Sequence, residues 1–216
     1  MSLAKLLQLA SPTLPVGAYS YSGGLEAACE AEVVTDAATA ERWIGDVMEF
    51  SMARMEAPIL FSFLLSFYKK DSSKIENTNQ LFLASRESAE LRAETVQMGY
   101  SLNRLFKDLG LGEVPVEEPS FPAAFAYAAA QWKIEPEAAL QAYLWSWLEN
   151  QVMAAVKAVP LGQTDGQRIL LALGDRIGEL VKKAMHMKDE EIGNFAPNLA
   201  LLSARHETQY SRIFRS

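Results

Sequence analysis

The residues of this chain able to do chemistry are few, and two segments near its ends hold the most unusual combinations. The first is Ser11-Pro-Thr-Leu-Pro-Val-Gly-Ala-Tyr-Ser-Tyr-Ser-Gly-Gly-Leu-Glu26. Prolines and glycines fix its backbone and hydroxyls line it. One reading is a rigid turn capping a helix that starts near Gly24, with Ser22 as N-cap and Glu26 adding negative charge to the first turn. The other is a preorganised binding loop with Tyr19, Tyr21 and Glu26 as contact groups. The second segment is Arg205-His-Glu-Thr-Gln-Tyr-Ser-Arg-Ile-Phe-Arg-Ser216. Arg205, Arg212 and Arg215 against Glu207 give it a formal charge of +2 and leave −9 on the rest of a chain whose total is −7. Such a tail can fold back onto the acidic body. It can also dock on a partner, with Ile213 and Phe214 as an apolar anchor between flanking arginines, a composition favoured at interface hot spots.

Other reactive residues give weaker signals. His206-Glu207 begins an H-E-x-x-H pattern, but Tyr210 stands where the second histidine must be. That leaves a helical hydrolase with only His206 and Glu207 in its favour. Ser66-x-x-Lys69 fits a short hydrolase motif without its companions. Cys29, beside Ala27 and Ala28, reads as a structural thiol, and His186 as a positive group at a helix C-terminus. No phosphate-binding or dinucleotide-binding glycine loop occurs. One cysteine and two histidines exclude a disulfide framework and the cysteine-rich zinc sites. No cofactor or metal site is expected. With 20 Lys+Arg against 27 Asp+Glu, general nucleic-acid affinity is not expected.

The elements that must position these residues are helical. Apolar spacing of 3 and 4 runs from Ile44 through Val47, Met48, Met52 and Met55 to Ile59. Pro58, lacking an N–H, starts a new helix or kinks this one. Asp71 to Asn79 is polar and reads as a loop. Leu91, Thr95, Met98, Leu102, Leu105 and Leu109 form the cleanest amphipathic helix. On it Glu90 and Glu94 are like charges four apart, which Arg86 can offset. Pro136 opens a helix to Val159 with only three charges, apolar nearly all round and so central or covered. Thr164 and Gln167 match a capping box, and Gly174 and Gly178 suggest close helix approach on one face. A last helix begins near Pro197. The fold class is all-α, about nine or ten helices in a single globular domain spanning 1–216. Residues 1–22 read as an N-terminal Pro/Gly loop region and 205–216 as a docking tail. The charge-free stretch Leu6–Leu25 is broken by Pro12, Pro15 and Gly17, so no membrane span is expected there, and the default location is cytoplasmic.

Several motifs in order carry a resemblance. They are Leu6-Leu-Gln-Leu-Ala-Ser-Pro-Thr-Leu-Pro-Val-Gly-Ala-Tyr-Ser-Tyr-Ser22, Arg86-Glu, Glu94-Thr, Met98-Gly, Phe121-Pro-Ala-Ala-Phe-Ala-Tyr127, Pro160-Leu-Gly-Gln-Thr-Asp-Gly-Gln167 and the whole tail. On these the chain resembles the urease accessory protein UreF family nearly end to end. The resemblance implies an all-α, dimerising, non-enzymatic adaptor. It would join UreD (also called UreH) and the GTPase UreG on apo-urease for nickel insertion. It implies tail docking on UreD, with partner contacts at Tyr19, Tyr21, Glu26, Arg205, Tyr210, Arg212, Phe214 and Arg215. The alternative it carries is a GTPase-activating regulator of UreG, for which Arg168 and Arg205 are the candidate arginines.

Overall fold

A computed structural model describes residues 3–216. Among these, the chain forms helices α1 (Leu3–Leu9), α2 (Leu25–Glu30), α3 (Ala37–Lys69), α4 (Ser72–Ala84), α5 (Ala89–Asp108), α6 (Phe121–Gln131), α7 (Pro136–Ala158), α8 (Gln163–Gly174), α9 (Ile177–Met185) and α10 (Pro197–His206), and no strand. The expected all-α class and single domain are what the structure has.

Helix α3 is the spine. Asp36 caps it by accepting from the Thr39 N–H at 2.8 Å, and Thr39 Oγ1 accepts from the Asp36 N–H in return. Its middle, Met48–Glu56, winds in the wider π register. Pro58 sits in the first turn of the α register that restarts at Ala57 after the π segment, one of the two outcomes expected of it. It withholds the N–H that would bond to Arg54 four residues back, and the Arg54 carbonyl accepts from the Gly193 N–H instead, at 3.2 Å. The Phe50 carbonyl likewise accepts from the Phe195 N–H at 2.9 Å. The connector before α10 is thus tied to the π segment. By length and composition α3 could cross a membrane, but 61% of its most apolar window is buried in this fold. A central helix of a globular core has that character.

The C-terminal half of α3 and helix α5 flank α6, whose alanines Ala123, Ala124, Ala126, Ala128 and Ala129 are buried. Close approach here depends on Gly99. A Cβ at that position would lie 2.1 Å from the Pro119 carbonyl oxygen, well inside van der Waals contact. Helix α7 starts at Pro136 as expected and packs along α8, with α9 beside it.

Four local expectations are corrected. Asp71–Asn79 is not a loop: Asp71 caps α4 by accepting from the Lys74 N–H at 3.0 Å, and Ile75, Thr78, Asn79, Phe82 and Leu83 form its buried face. The capping box at Thr164 and Gln167 does not form; α8 begins inside Gly162 with no side-chain cap. Gly174 and Gly178 do not share one continuous helix, because the chain breaks between α8 and α9. A Cβ at Gly174 would lie 3.2 Å from the Trp145 ring, while one at Gly178 would meet nothing within 4 Å. Finally, α1 lies within the N-terminal segment read as a loop.

Candidate functional site

The two unusual segments of the sequence meet. Gly24, at φ 81°, is the N-cap of α2, and Ser22 assists from outside it. Ser22 Oγ accepts from the Glu26 N–H at 3.2 Å and also donates to the Ser216 carbonyl. The Ser22 N–H bonds to that same carbonyl at 2.9 Å, and the Arg215 N–H bonds to Ser20 at 2.8 Å. The tail therefore runs back beside the proline–glycine loop.

Glu26 is the centre of this arrangement. It is only 6% exposed. Its Oε1 accepts from the Ile213 N–H at 2.6 Å and its Oε2 from the Phe214 N–H at 2.9 Å. One carboxylate thus reads two consecutive backbone donors, an arrangement that charge-assisted bonds favour. Phe214 is buried, with Lys157 Nζ 4.9 Å from its ring centroid.

Helix α5 supplies the facing wall. Glu90 Oε1 accepts from Arg212 at 2.6 Å, and Glu94 Oε2 accepts from Ser216 Oγ at 2.6 Å. Burial pushes the Glu94 carboxyl up to about 7; the Ser216 hydroxyl opposes the shift, and nearby Glu56 adds to it. His206, the last residue of α10, is fully buried between the walls. Its Nδ1 lies 2.6 Å from Glu90 Oε2 and its Nε2 3.1 Å from Glu26 Oε2. With both ring nitrogens on structural carboxylates, and Glu207 accepting from the Ala89 N–H at 2.8 Å, neither residue is poised for hydrolysis.

Behind this wall lies a partly open cavity of about 300 Å³, lined among others by Glu56, Arg86, Glu87, Glu94 and Tyr143 and reaching the exposed Tyr19 and Met153. Arg86 pairs with Glu56 at 2.9 Å rather than offsetting Glu90. The Tyr143 hydroxyl donates to Glu56, and burial drives its pKa well above the ordinary phenol range. Burial also pushes the Cys29 thiol up to about 11, which suits a structural thiol. His186 Nδ1 lies 2.8 Å from the Lys182 carbonyl at the end of α9.

The structure brings Tyr21, Glu26, Arg212, Phe214 and Arg215 together. Tyr21 is buried, its carbonyl held by Asn150 at 3.1 Å and its hydroxyl pKa raised by burial against the opposing effect of Arg215. Tyr19 is 74% exposed and lines a shallow surface groove with Tyr21, Gln97, Ser101 and Arg215. Arg205 and Tyr210 are exposed and stand outside the cluster. Tyr21, Glu26 and Phe214 are therefore engaged within the chain, and the surface positions are Tyr19, Arg205, Tyr210, Arg212 and Arg215.

Sequence reasoning missed His206, Glu90 and Glu94 as members. A signal was present: Glu87, Glu90 and Glu94 make a stripe of like charges on one helix face, which calls for cations from elsewhere.

The family model described as UreF matches residues 34–174. The chain is 55% identical to the urease accessory protein UreF of Azoarcus sp. (strain BH72), covering 100% of this chain and 96% of that protein. It is 54% identical to the protein of the same name from Dechloromonas aromatica (strain RCB), covering 100% and 98%. With that of Janthinobacterium sp. (strain Marseille) it shares 49%, again over 100% and 98%.

Proposed function

The chain belongs to the UreF family of urease accessory proteins, and from that membership we propose that it is a non-catalytic adaptor in urease maturation. In this reading it joins UreD (UreH) and the GTPase UreG on apo-urease, so that GTP hydrolysis by the partner drives nickel insertion. It acts in the cytoplasm as a homodimer. Nickel is cargo here, not a resident cofactor.

The observation that carries the reading is that similarity to named accessory proteins runs through the full chain, tail included. The structure adds support. Tyr19, Tyr210 and Ile213 are 74%, 105% and 57% exposed, which puts large apolar groups in solvent beside the arginines of the tail. Trp145, Met153 and Leu171 are likewise exposed on α7 and α8, an apolar surface suited to a second copy.

The test is co-purification with UreD and UreG, each alone and together. Deleting Ser211–Ser216 is expected to abolish UreD capture while leaving helical circular dichroism intact. Undiminished capture of UreD by the truncated protein counts decisively against tail docking. Failure of the full chain to capture either partner sinks the adaptor reading itself.

A further inference from the structure

The cavity behind the tail has a polar inner end and apolar sides. Glu56, Arg86, Glu87 and Tyr143 form the inner end; the Arg86 side chain is only 5% exposed and Tyr143 is buried. Val16, Val47, Met52 and Met98 supply apolar wall, and the exposed Tyr19 and Met153 stand at the mouth. The π register of α3 shapes one side, since Ser51, Met52 and Glu56 all belong to it and all line the cavity. Such widened turns are frequent at functional sites. A volume of about 300 Å³ lies at the small end of ligand pockets.

The hydrogen bonds of the polar end leave two atoms over. Both Glu56 oxygens are engaged: Oε1 accepts from Arg86 Nη1 at 2.9 Å and Oε2 from the Tyr143 hydroxyl. Arg86 Nη2 lies 3.2 Å from Met55 Sδ, and its guanidinium 4.3 Å from the Phe82 ring centroid. Glu87 Oε1 accepts from Asn194 Nδ2. Arg86 Nε and Glu87 Oε2 are buried and have no partner within the chain. A buried donor and a buried acceptor left unpaired are costly, and here both belong to side chains that line one cavity.

These two atoms define a chemical complement. A ligand head must accept from Arg86 and donate to Glu87. A carboxamide does both, with its carbonyl oxygen toward the guanidinium and its N–H toward the carboxylate. An ammonium offers no acceptor to Arg86. A carboxylate offers no donor to Glu87 and adds negative charge beside Glu56 and Glu87. The apolar walls call for a hydrocarbon body behind the head. We propose that this cavity binds a small neutral amide, its carboxamide on Arg86 and Glu87 and an apolar body the size of an aromatic ring along Met52 and Met98. The site belongs to this chain alone and is separate from the adaptor role.

The test is titration of the full chain, labelled with ¹³C-methyl methionine, with benzamide, benzylamine, benzoate and acetamide. Met52, Met98 and Met153 line the cavity, while Met185 and Met187 do not. Benzamide is expected to shift the Met52 and Met98 methyls saturably in the millimolar range, as suits so few atoms, and to leave Met185 and Met187 unmoved. Benzylamine and benzoate, each lacking one of the two bonds, are expected to bind roughly tenfold more weakly or worse. Acetamide, lacking the ring, is expected to fall by about the same factor or more. Glu87→Gln keeps an acceptor for Asn194 but removes the charge, and is expected to cut the preference for benzamide over benzoate roughly tenfold. No saturable shift with benzamide overturns the site. So does benzylamine or benzoate binding as tightly as benzamide, or a folded Glu87→Gln variant that keeps the native preference. Should that variant fail to fold, the ranking of the four probes on the native chain decides.

Discussion

Replacing Glu26 with alanine tests whether one carboxylate holds the tail. The substitution removes the acceptor for the Ile213 and Phe214 N–H groups and for His206 Nε2. Were the tail forced to stay, each buried donor left unpaired would cost about 1–3 kcal/mol. The tail is not forced to stay, because it can swing out and hydrate those groups. What is then lost is Phe214 burial, about 2–3 kcal/mol, with a smaller contribution from the Ser22 and Arg215 backbone bonds. The loss of unfolding free energy is therefore capped at about 2–4 kcal/mol. Urea denaturation followed by circular dichroism measures it. Limited trypsin digestion gives an independent reading, since Arg212 becomes a cleavage site once the tail is free. Glu26→Ala is expected to keep native helicity, lose stability within that range, and be cut at Arg212 much faster than the native chain. Unchanged cleavage with unchanged stability would refute the clamp. Collapse of helicity would show that Glu26 supports α2 itself rather than the tail.

Three further predictions rest on the same structure. Gly99→Ala places a methyl 2.1 Å from the Pro119 carbonyl oxygen and is expected to cost about 3 kcal/mol or more, or to prevent soluble expression. Gly178→Ala meets open space and is expected to stabilise by up to about 1 kcal/mol; paired thermal melts check both. Glu94 in the folded state has its carboxyl raised from 4.5 to about 7, so the native state binds this proton more tightly than the unfolded chain does. Its contribution is full below about pH 4.5 and is lost as pH rises through about 7, an effect of about 1–3 kcal/mol after allowing for partial exposure. Glu94→Gln is expected to flatten the corresponding slope in denaturation midpoints between about pH 5 and about pH 8.

Where the sequence was legible, one physical signal dominated its neighbourhood. The spacing Leu91–Leu109 announces α5, and Pro136 and Pro197 open α7 and α10 where their missing N–H groups are harmless. The polar run after Asp71 hid α4, because Ser72, Ser73, Lys74, Glu76 and Asn77 crowd its start. Its buried face becomes clear only when Phe82 and Leu83 are included. The glycine that matters for close packing was Gly99, not the pair Gly174 and Gly178, since the neighbour it meets is Pro119, twenty residues on in the chain. His206 was illegible for a similar reason. Its partners Glu26 and Glu90 lie 180 and 116 residues away, and no local pattern links them.

The division of charge between an acidic body and a basic tail suggests that electrostatic attraction holds the tail down. The contacts argue otherwise. Among the described residues only Arg212 of the three tail arginines makes an ion pair with the body. Arg205 and Arg215 are exposed and in no ion pair. The grip comes from backbone N–H groups on Glu26, from the Ser22 bonds to Ser216 and from the buried Phe214 ring. Exposed ion pairs contribute little in any case, about 0–1 kcal/mol. The tail is thus fastened by its backbone and one aromatic anchor, while most of its positive charge stays in solvent. If attraction to the acidic body were the reason for the basic composition, those arginines would be spent on it. Two of the three arginines therefore take no part in any ion pair holding the tail to the acidic body.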